Sequence, residues 1–340
     1  DHKPILIDSQ TQIGKLQFDK GEIEKGIKNL EAAYRAAFEM GDIRREMYVA
    51  EVMGRCFLAL DQDGKAMEFY SIALDAASEV DNFQASSQYQ IMIGHIYLKK
   101  DDIGPAQEHF KNALDLGARL KDKRIEFLAF ESLFQLALKK DDPDDILFNG
   151  IRTIELSQEI DDVGAEAENV RRLAEYLLAS KRYQEAVEYL EKGRDLGRSV
   201  HDKVFQMEMI GNLGMVTYFL GDLEQAEQFL FEAYDLATQM QRATDLAHFG
   251  AKLGVVLAEK GQVKEAIKYC QEAIEVAEAQ DLPELKAEQL TIQGINYLES
   301  ECLEEGIAFL QEAIKLYDEL SLDDLQKHVE NILASYQDSE

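Results

Sequence analysis

Six histidines and three cysteines are the residues from which nucleophilic or metal chemistry would have to be built in this 340-residue chain. Cys56, Cys270 and Cys302 are far apart and odd in number, with no CxxC pair and no histidines nearby at metal-ligand spacing, so they read as reduced core thiols. His2, His95, His109, His201, His248 and His328 are scattered without an HExxH or other paired spacing. Asp61-Gln62-Asp63-Gly64 resembles the opening of a calcium loop, but the third acidic ligand and the closing glutamate are missing, which leaves a turn. GxxxxGK[ST], GxGxxG and GxSxG are absent, and Gly211-Asn212-Leu213-Gly214 lies within a helical pattern rather than after a strand. The expectation is a chain with no catalytic residues, no metal and no cofactor.

What remains is a string of cationic and amide side chains at close to 40-residue spacing: Lys15, Arg55, His95, Gln135, Arg171, Arg172, Asn212 and Lys252. Arginine grips a carboxylate through two parallel hydrogen bonds, and asparagine can pin an extended peptide backbone. Set against the acidic balance of the chain such a string is more basic than the average surface, and an acidic or carboxylate-bearing peptide is the ligand these residue types suit. The plainer alternative is that helix faces carry Lys and Arg for solubility and for pairing with nearby Glu.

The elements that would position this string repeat without an insertion or deletion. Rows of 40 align Gly14, Gly54, Gly94, Phe134, Ala174, Gly214, Gly254 and Gly294. Gly26, Ala66, Ala106, Ile146, Ala186, Ala226, Ala266 and Gly306 form a second small column, and Ala33, Ala73, Ala113, Thr153, Gly193, Ala233, Ala273 and Ala313 a third. Between the last two runs a bulky column, Leu30, Tyr70, Phe110, Gly150, Leu190, Leu230, Cys270 and Leu310, apolar everywhere but row four. Small residues mark where helices approach closely, and the bulky column fills the space between them. Gly21, Asp61, Asp101, Asp141, Lys181, Gly221, Gly261 and Glu301 divide each row into a helix A, about positions 6 to 19, and a helix B, about 23 to 39. A second turn closes each row, as at Gly41-Asp42 and Asp81-Asn82.

The order of small residue, aromatic three later (Phe57, Tyr97, Tyr297), then Ala, bulky residue and Ala resembles the tetratricopeptide repeat (TPR) over residues 6 to 320. The 40-residue period is similar to the long-helix subclass of LGN/Pins, kinesin light chain, Rap-type regulators and the repeat halves of STAND-class sensors. The Leu-Gly-Asn tripeptide is not matched, and no Rap-like helical bundle precedes the first repeat. The resemblance implies an all-α, right-handed superhelical solenoid whose concave groove, lined mainly by helix A, holds a peptide. In that family the groove is reached from the helix A columns beside the small residue, which makes Lys15, Arg55, His95, Gln135, Arg171, Arg172, Asn212 and Lys252 the candidate partner-binding set. The domain plan is eight repeats over 1–320 (1–40, 41–80, 81–120, 121–160, 161–200, 201–240, 241–280 and 281–320) with a capping helix over 321–340. In that helix Ala334 falls on the small column, and Leu325, Val329, Ile332 and Leu333 form the apolar side.

Row four is irregular: Phe134, Ile146 and Gly150 invert small for large, and Asp141-Asp142-Pro143-Asp144-Asp145 takes the place of the short turn. Either the curvature changes there and widens the groove, or compensating packing absorbs the drift. Phe127, Phe130, Phe134, Phe205, Phe219 and Phe249 read as core aromatics, with the groove as their other possible position.

Thirty-six basic residues against sixty-six acidic give a net charge of −30, which disfavours nucleic acid and anionic membranes. That charge fits a solvated convex surface or, more weakly, a basic partner. No apolar run approaches the ~20 residues that span a bilayer. The chain opens on Asp1 rather than Met, the mark of a trimmed or processed form, and a cytoplasmic location is expected. The function expected is a protein-interaction scaffold or adaptor holding a peptide in the groove. The second reading is a regulatory sensor whose ligand changes superhelical pitch and so controls an effector.

Overall fold

The computed structural model describes residues 2–299 and 302–337 and divides into two compact units, residues 1–169 and 170–340. Among the described residues the regular elements are all α-helices, eight antiparallel hairpins followed by a single helix. The first unit holds α1 (Lys3–Asp19), α2 (Ile23–Met40), α3 (Ile43–Ala59), α4 (Asp63–Glu79), α5 (Phe83–Lys99), α6 (Ile103–Leu120), α7 (Lys123–Lys140) and α8 (Pro143–Glu159). Helix α9 (Val163–Ala179) begins in the first unit and ends in the second. The second unit continues with α10 (Tyr183–Ser199), α11 (Lys203–Phe219), α12 (Leu223–Gln239), α13 (Ala243–Glu259), α14 (Val263–Ala279), α15 (Pro283–Glu299), α16 (Leu303–Glu319) and α17 (Asp323–Gln337). Each helix A starts about three residues earlier than its apolar spacing suggests, because the N-cap sits directly after the turn.

The helices end where the backbone turns left-handed. Every described residue with positive φ stands at a twenty-residue interval, from Gly21 at 83° to Ser321 at 57°. At Gly21 the following amide, Glu22 N–H, donates back to the Gln17 carbonyl at 2.8 Å, and Gln62, Asp102 and Asp142 repeat that bond to Phe57, Tyr97 and Ala137. The next helix is then capped: Asp42, Asn82, Asp122, Asp142, Asp162, Asp202 and Asp222 each accept a backbone N–H from its first turn. The Asp141–Asp145 run is therefore not a different turn. Asp141 is left-handed, Asp142 caps, and Pro143 opens α8. The turn position Glu301 lies outside the described residues.

Inside each hairpin the small column makes room for the bulky one. A Cβ added at Gly94 would lie 2.5 Å from the Phe110 ring, at Gly214 2.6 Å from Leu230, and at Gly54 3.1 Å from the Tyr70 ring. The third column faces the next hairpin, where a Cβ on Gly193 would meet Met209 at 2.8 Å. In row four Phe134 is fully buried on helix A while Gly150 is buried on helix B, so the large and small members have changed places. Lysines in the last turn of helix A tie successive hairpins: Lys99 holds Asp61 at 2.9 Å and Asp63 at 3.0 Å, and Lys139 holds Asp101 at 2.9 Å. The Asp61-Gln62-Asp63-Gly64 turn thus spends its carboxylates on Lys99.

Helix α17 closes the second unit with Val329 buried and Ile332, Leu333 and Tyr336 against the same core. Leu325, expected on its apolar side, is exposed, as is Ala334, and among the described residues no helix B packs on them.

Two substitutions test this packing. Gly211→Ala would put a methyl 2.1 Å from the Phe249 ring, and a loss of about 2 kcal/mol in urea unfolding is expected. Lys181→Gly relieves a left-handed lysine at φ 56°, and a gain of roughly 0.5–1 kcal/mol in the same assay is expected.

Candidate functional site

Of the eight residues singled out in the sequence, Lys15, Arg55, His95 and Gln135 lie in the first unit and Arg171, Arg172, Asn212 and Lys252 in the second. Lys15 and Arg55 are brought together. They line a half-open pocket of about 710 Å³ in the first unit, built from α1, α3, α4, α5 and α7. Apart from Tyr70 on α4, its lining comes from the helix A of four successive repeats. Phe18, Val52, Cys56, Met92 and Leu128 give it apolar walls, and Glu51 stands between the polar groups. Glu51 accepts from the Tyr89 hydroxyl at 3.2 Å and pairs with Arg55 at 3.8 Å. Tyr70 and Tyr89 lie with ring centroids 6.4 Å apart.

His95 takes no part in this pocket. Its Nε2 meets the Ser132 hydroxyl at 3.1 Å and its ring packs edge-on against Phe110 at 5.0 Å, so it serves as a joint between α5 and α7. Burial pushes its pKa below the usual histidine value. Gln135 is half-buried on α7. In the second unit Arg171 lies 3.3 Å from Glu208 and over the Phe205 ring at 5.0 Å. Arg172 and Asn212 are half-buried on α9 and α11. Lys252 sits 5.8 Å from the Phe249 ring, and burial lowers its pKa against the opposing pull of Glu288. The string therefore does not act as a bare row of cations, because carboxylates of the same or the next repeat answer Arg55 and Arg171.

Sequence reasoning missed the pocket's apolar walls and, among its polar groups, the hydroxyls of Tyr70 and Tyr89. Tyr70 was read only as a filler of the bulky column, where an aromatic with a hydroxyl is the one signal that could have marked it. Of the aromatics read as core, Phe127, Phe134, Phe205 and Phe249 are buried, Phe130 is half-buried, and Phe219 is exposed, stacked on Tyr183 at 4.8 Å. Cys56 and Cys270 are buried thiols, with pKa values pushed up to about 11 and about 12 by burial. Cys302, expected in the core, is exposed because it occupies the N-cap of α16.

These features define a helix-hairpin repeat protein with an open helix-A pocket. Tetratricopeptide repeat family models match residues 165–239 and, separately, 87–116 and 251–280, which are α9–α12, α5–α6 and α13–α14. The chain is a tetratricopeptide-repeat protein. It is similar in fold to the Signal Transduction ATPase with Numerous Domains (STAND) protein with a tetratricopeptide repeat sensor from Pyrococcus horikoshii, at TM-score 0.60 and 14% identity, over 95% of this chain and 50% of that one. The chain thus spans about half the length of that protein. It is also similar to the apo quorum sensor NprR from B. thuringiensis (TM-score 0.52, 15% identity, 98% of this chain and 93% of that one). The apo form of RapI gives TM-score 0.54 and 14% identity over 80% of this chain and 97% of that one. No curated protein matches the sequence. Among the described residues no helix is long and apolar enough to cross a membrane.

Two measurements probe these side chains. Lys252→Met keeps the aliphatic stem and removes a charge that burial disfavours, so at pH 7 the urea midpoint should rise, corresponding to about 1 kcal/mol of added unfolding free energy. An unchanged or lower midpoint would show that the charge stabilises its site. For His95, the unfolded chain takes up a proton below about pH 6.5 that the folded state resists, so its contribution to stability is lost as pH falls from 6.5 towards the lowered folded value. His95→Gln should therefore flatten part of the decline in unfolding midpoint between pH 7 and pH 5.

Proposed function

We propose that this chain works by binding a protein or peptide partner on its helix-A faces, as an interaction scaffold rather than a catalyst. The observation that carries the reading is the first unit's pocket, whose walls come mainly from one face of four successive repeats and combine apolar patches with Lys15, Arg55, Glu51 and Tyr89. Such a surface grips extended chain through several side-chain pockets. The finer reading adds that the partner carries a carboxylate, for which Lys15 and Arg55 are the first-unit donors and Arg171, Arg172, Asn212 and Lys252 the second-unit ones. Because Arg55 and Arg171 already have carboxylate neighbours, an amphipathic segment with a single acidic group suits the faces better than a polyanion. Binding inside the cytoplasm belongs to the same proposal.

A regulatory sensor is the second reading, and the likeness in fold to the STAND protein with its tetratricopeptide repeat sensor and to the quorum sensor NprR favours it. In it, ligand binding would change how the hairpins stack and so control an effector.

Selection of a displayed random-peptide library on the whole chain, with Arg55→Glu as the counter-selection, tests the scaffold. A consensus that binds the wild type at least tenfold more tightly than the variant, and crosslinks to α3 or α5, is the expected result. A consensus that binds both equally, or no enrichment, overturns the placement on this face. A compaction on peptide addition in small-angle scattering favours the sensor over a rigid adaptor.

A further inference from the structure

The pocket of the first unit has a floor that a peptide-binding face does not require. Tyr70 is 1% exposed, and its hydroxyl has no hydrogen-bond partner among the described residues. The charged and titratable groups that act on that hydroxyl are Arg55, Glu51 and Cys56, and all three line the pocket with Tyr70 itself. Burial pushes its pKa up to about 12, so at neutral pH the hydroxyl keeps its proton and offers a donor. A buried donor without an acceptor is destabilising, and a ligand atom that accepts from it would recover that loss. Tyr89 is not in the same position, since its hydroxyl is spent on Glu51.

Around this donor the walls are apolar, and the cations stand at the side. Lys15 forms no ion pair among the described residues. Arg55 is 59% exposed at its side chain and is held only by Glu51 at 3.8 Å, too long for a hydrogen-bonded pair. Drug-sized ligand sites are clefts of about 300–1,000 Å³ with mainly apolar walls and a few placed polar groups, and a volume of about 710 Å³ lies inside that range.

We infer that this pocket is a site for a small amphiphilic anion, an apolar body carrying one carboxylate that accepts from the Tyr70 hydroxyl and faces Lys15 and Arg55. The apolar body lies along Val52, Met92 and Leu128. This goes beyond a peptide-binding face, because the ligand is a free small molecule held by the floor of the pocket, and it gives the sensor reading a chemical input.

The test uses the whole chain with 8-anilinonaphthalene-1-sulfonate as a fluorescent apolar anion, displaced by dodecanoate and by dodecanol below their aggregation limits. One site on the folded protein, with dodecanoate displacing the dye far better than dodecanol, is expected. Met92→Trp, which fills the pocket from its exposed rim, should abolish that site while leaving the circular dichroism spectrum unchanged. Tyr70→Phe should raise the unfolding midpoint, since it removes an unpaired buried hydroxyl, yet weaken dodecanoate roughly tenfold and leave dodecanol unchanged. A hydroxyl that only fills space would give the gain in midpoint without the loss of dodecanoate. Equal binding of dodecanoate to wild type and Tyr70→Phe, or dye binding that survives Met92→Trp, overturns the site. Peptide selection that fails while dodecanoate binds removes the scaffold alone, and the converse removes this inference alone.

Discussion

Each hairpin depends on one close approach, a residue with little or no side chain on one helix facing a bulky residue on the other. The spaces are tight enough that a single methyl would collide, at 2.5 Å in the Gly94–Phe110 pair and 2.8 Å in Gly14–Leu30. That contact sets the distance between the two helices and hence the step to the next hairpin. It also reaches the pocket. The Tyr70 ring is held in the space that Gly54 leaves, so its hydroxyl sits where the packing of the repeat puts it. In the other repeats the same column holds Leu, Phe, Cys or Gly, none of which carries a hydroxyl. The pocket's polar floor is thus a local chemical change written on an unchanged packing scheme.

The charge of the chain has a similar local logic. A net charge of −30 suggests a uniformly acidic surface, but the structure uses many carboxylates at fixed places in the register. Glu51 meets Tyr89, Glu208 meets Arg171, and Glu272 meets Tyr234, each 37 or 38 residues from its partner. Side chains that far apart in sequence sit on neighbouring hairpins, so these bonds are the stitches between repeats. Exposed pairs of this kind contribute only about 0.2–1 kcal/mol each. Their repetition fixes register more than it adds stability.

The fold was legible because periodicity records the dominant constraint: 40-residue spacing of Gly, Ala and bulky residues can arise only where hairpins of one length stack. Turn positions were legible for the same reason. The inverted pair at Phe134 and Gly150 was visible too, and its exchange of sizes keeps a large residue buried in the hairpin. The site was legible only in part. Column position brought Lys15 and Arg55 to one pocket, but it could not tell a cation facing solvent from His95, whose neighbour on α7 turned it into a packing joint. Cys302 failed for a different reason: it stands at a helix N-cap rather than on an apolar face. Periodicity reports which face a residue occupies, whereas partners from the next repeat decide what that residue does.

The turns show how such partners shape residue choice. Eleven of the fifteen described left-handed residues are not glycine, although each non-glycine residue there costs roughly 1–2 kcal/mol. Asp61 and Asp101 give the reason in their two cases. Their left-handed backbone ends helix A, and their carboxylates receive Lys99 and Lys139 from the following repeat. Glycine would relieve the backbone and remove the stitch. Aspartate tolerates left-handed geometry better than most side chains, so it meets both demands at one position. At Gly21, Gly221 and Gly261 the relaxed backbone prevails instead. Where glycine stands in the column the tie to the next hairpin is made from other positions, as when Arg45 reaches Asp8 at 2.9 Å and Lys260 reaches Glu224 at 2.9 Å, so aspartate at the turn is one of several places from which the same stitch can be drawn.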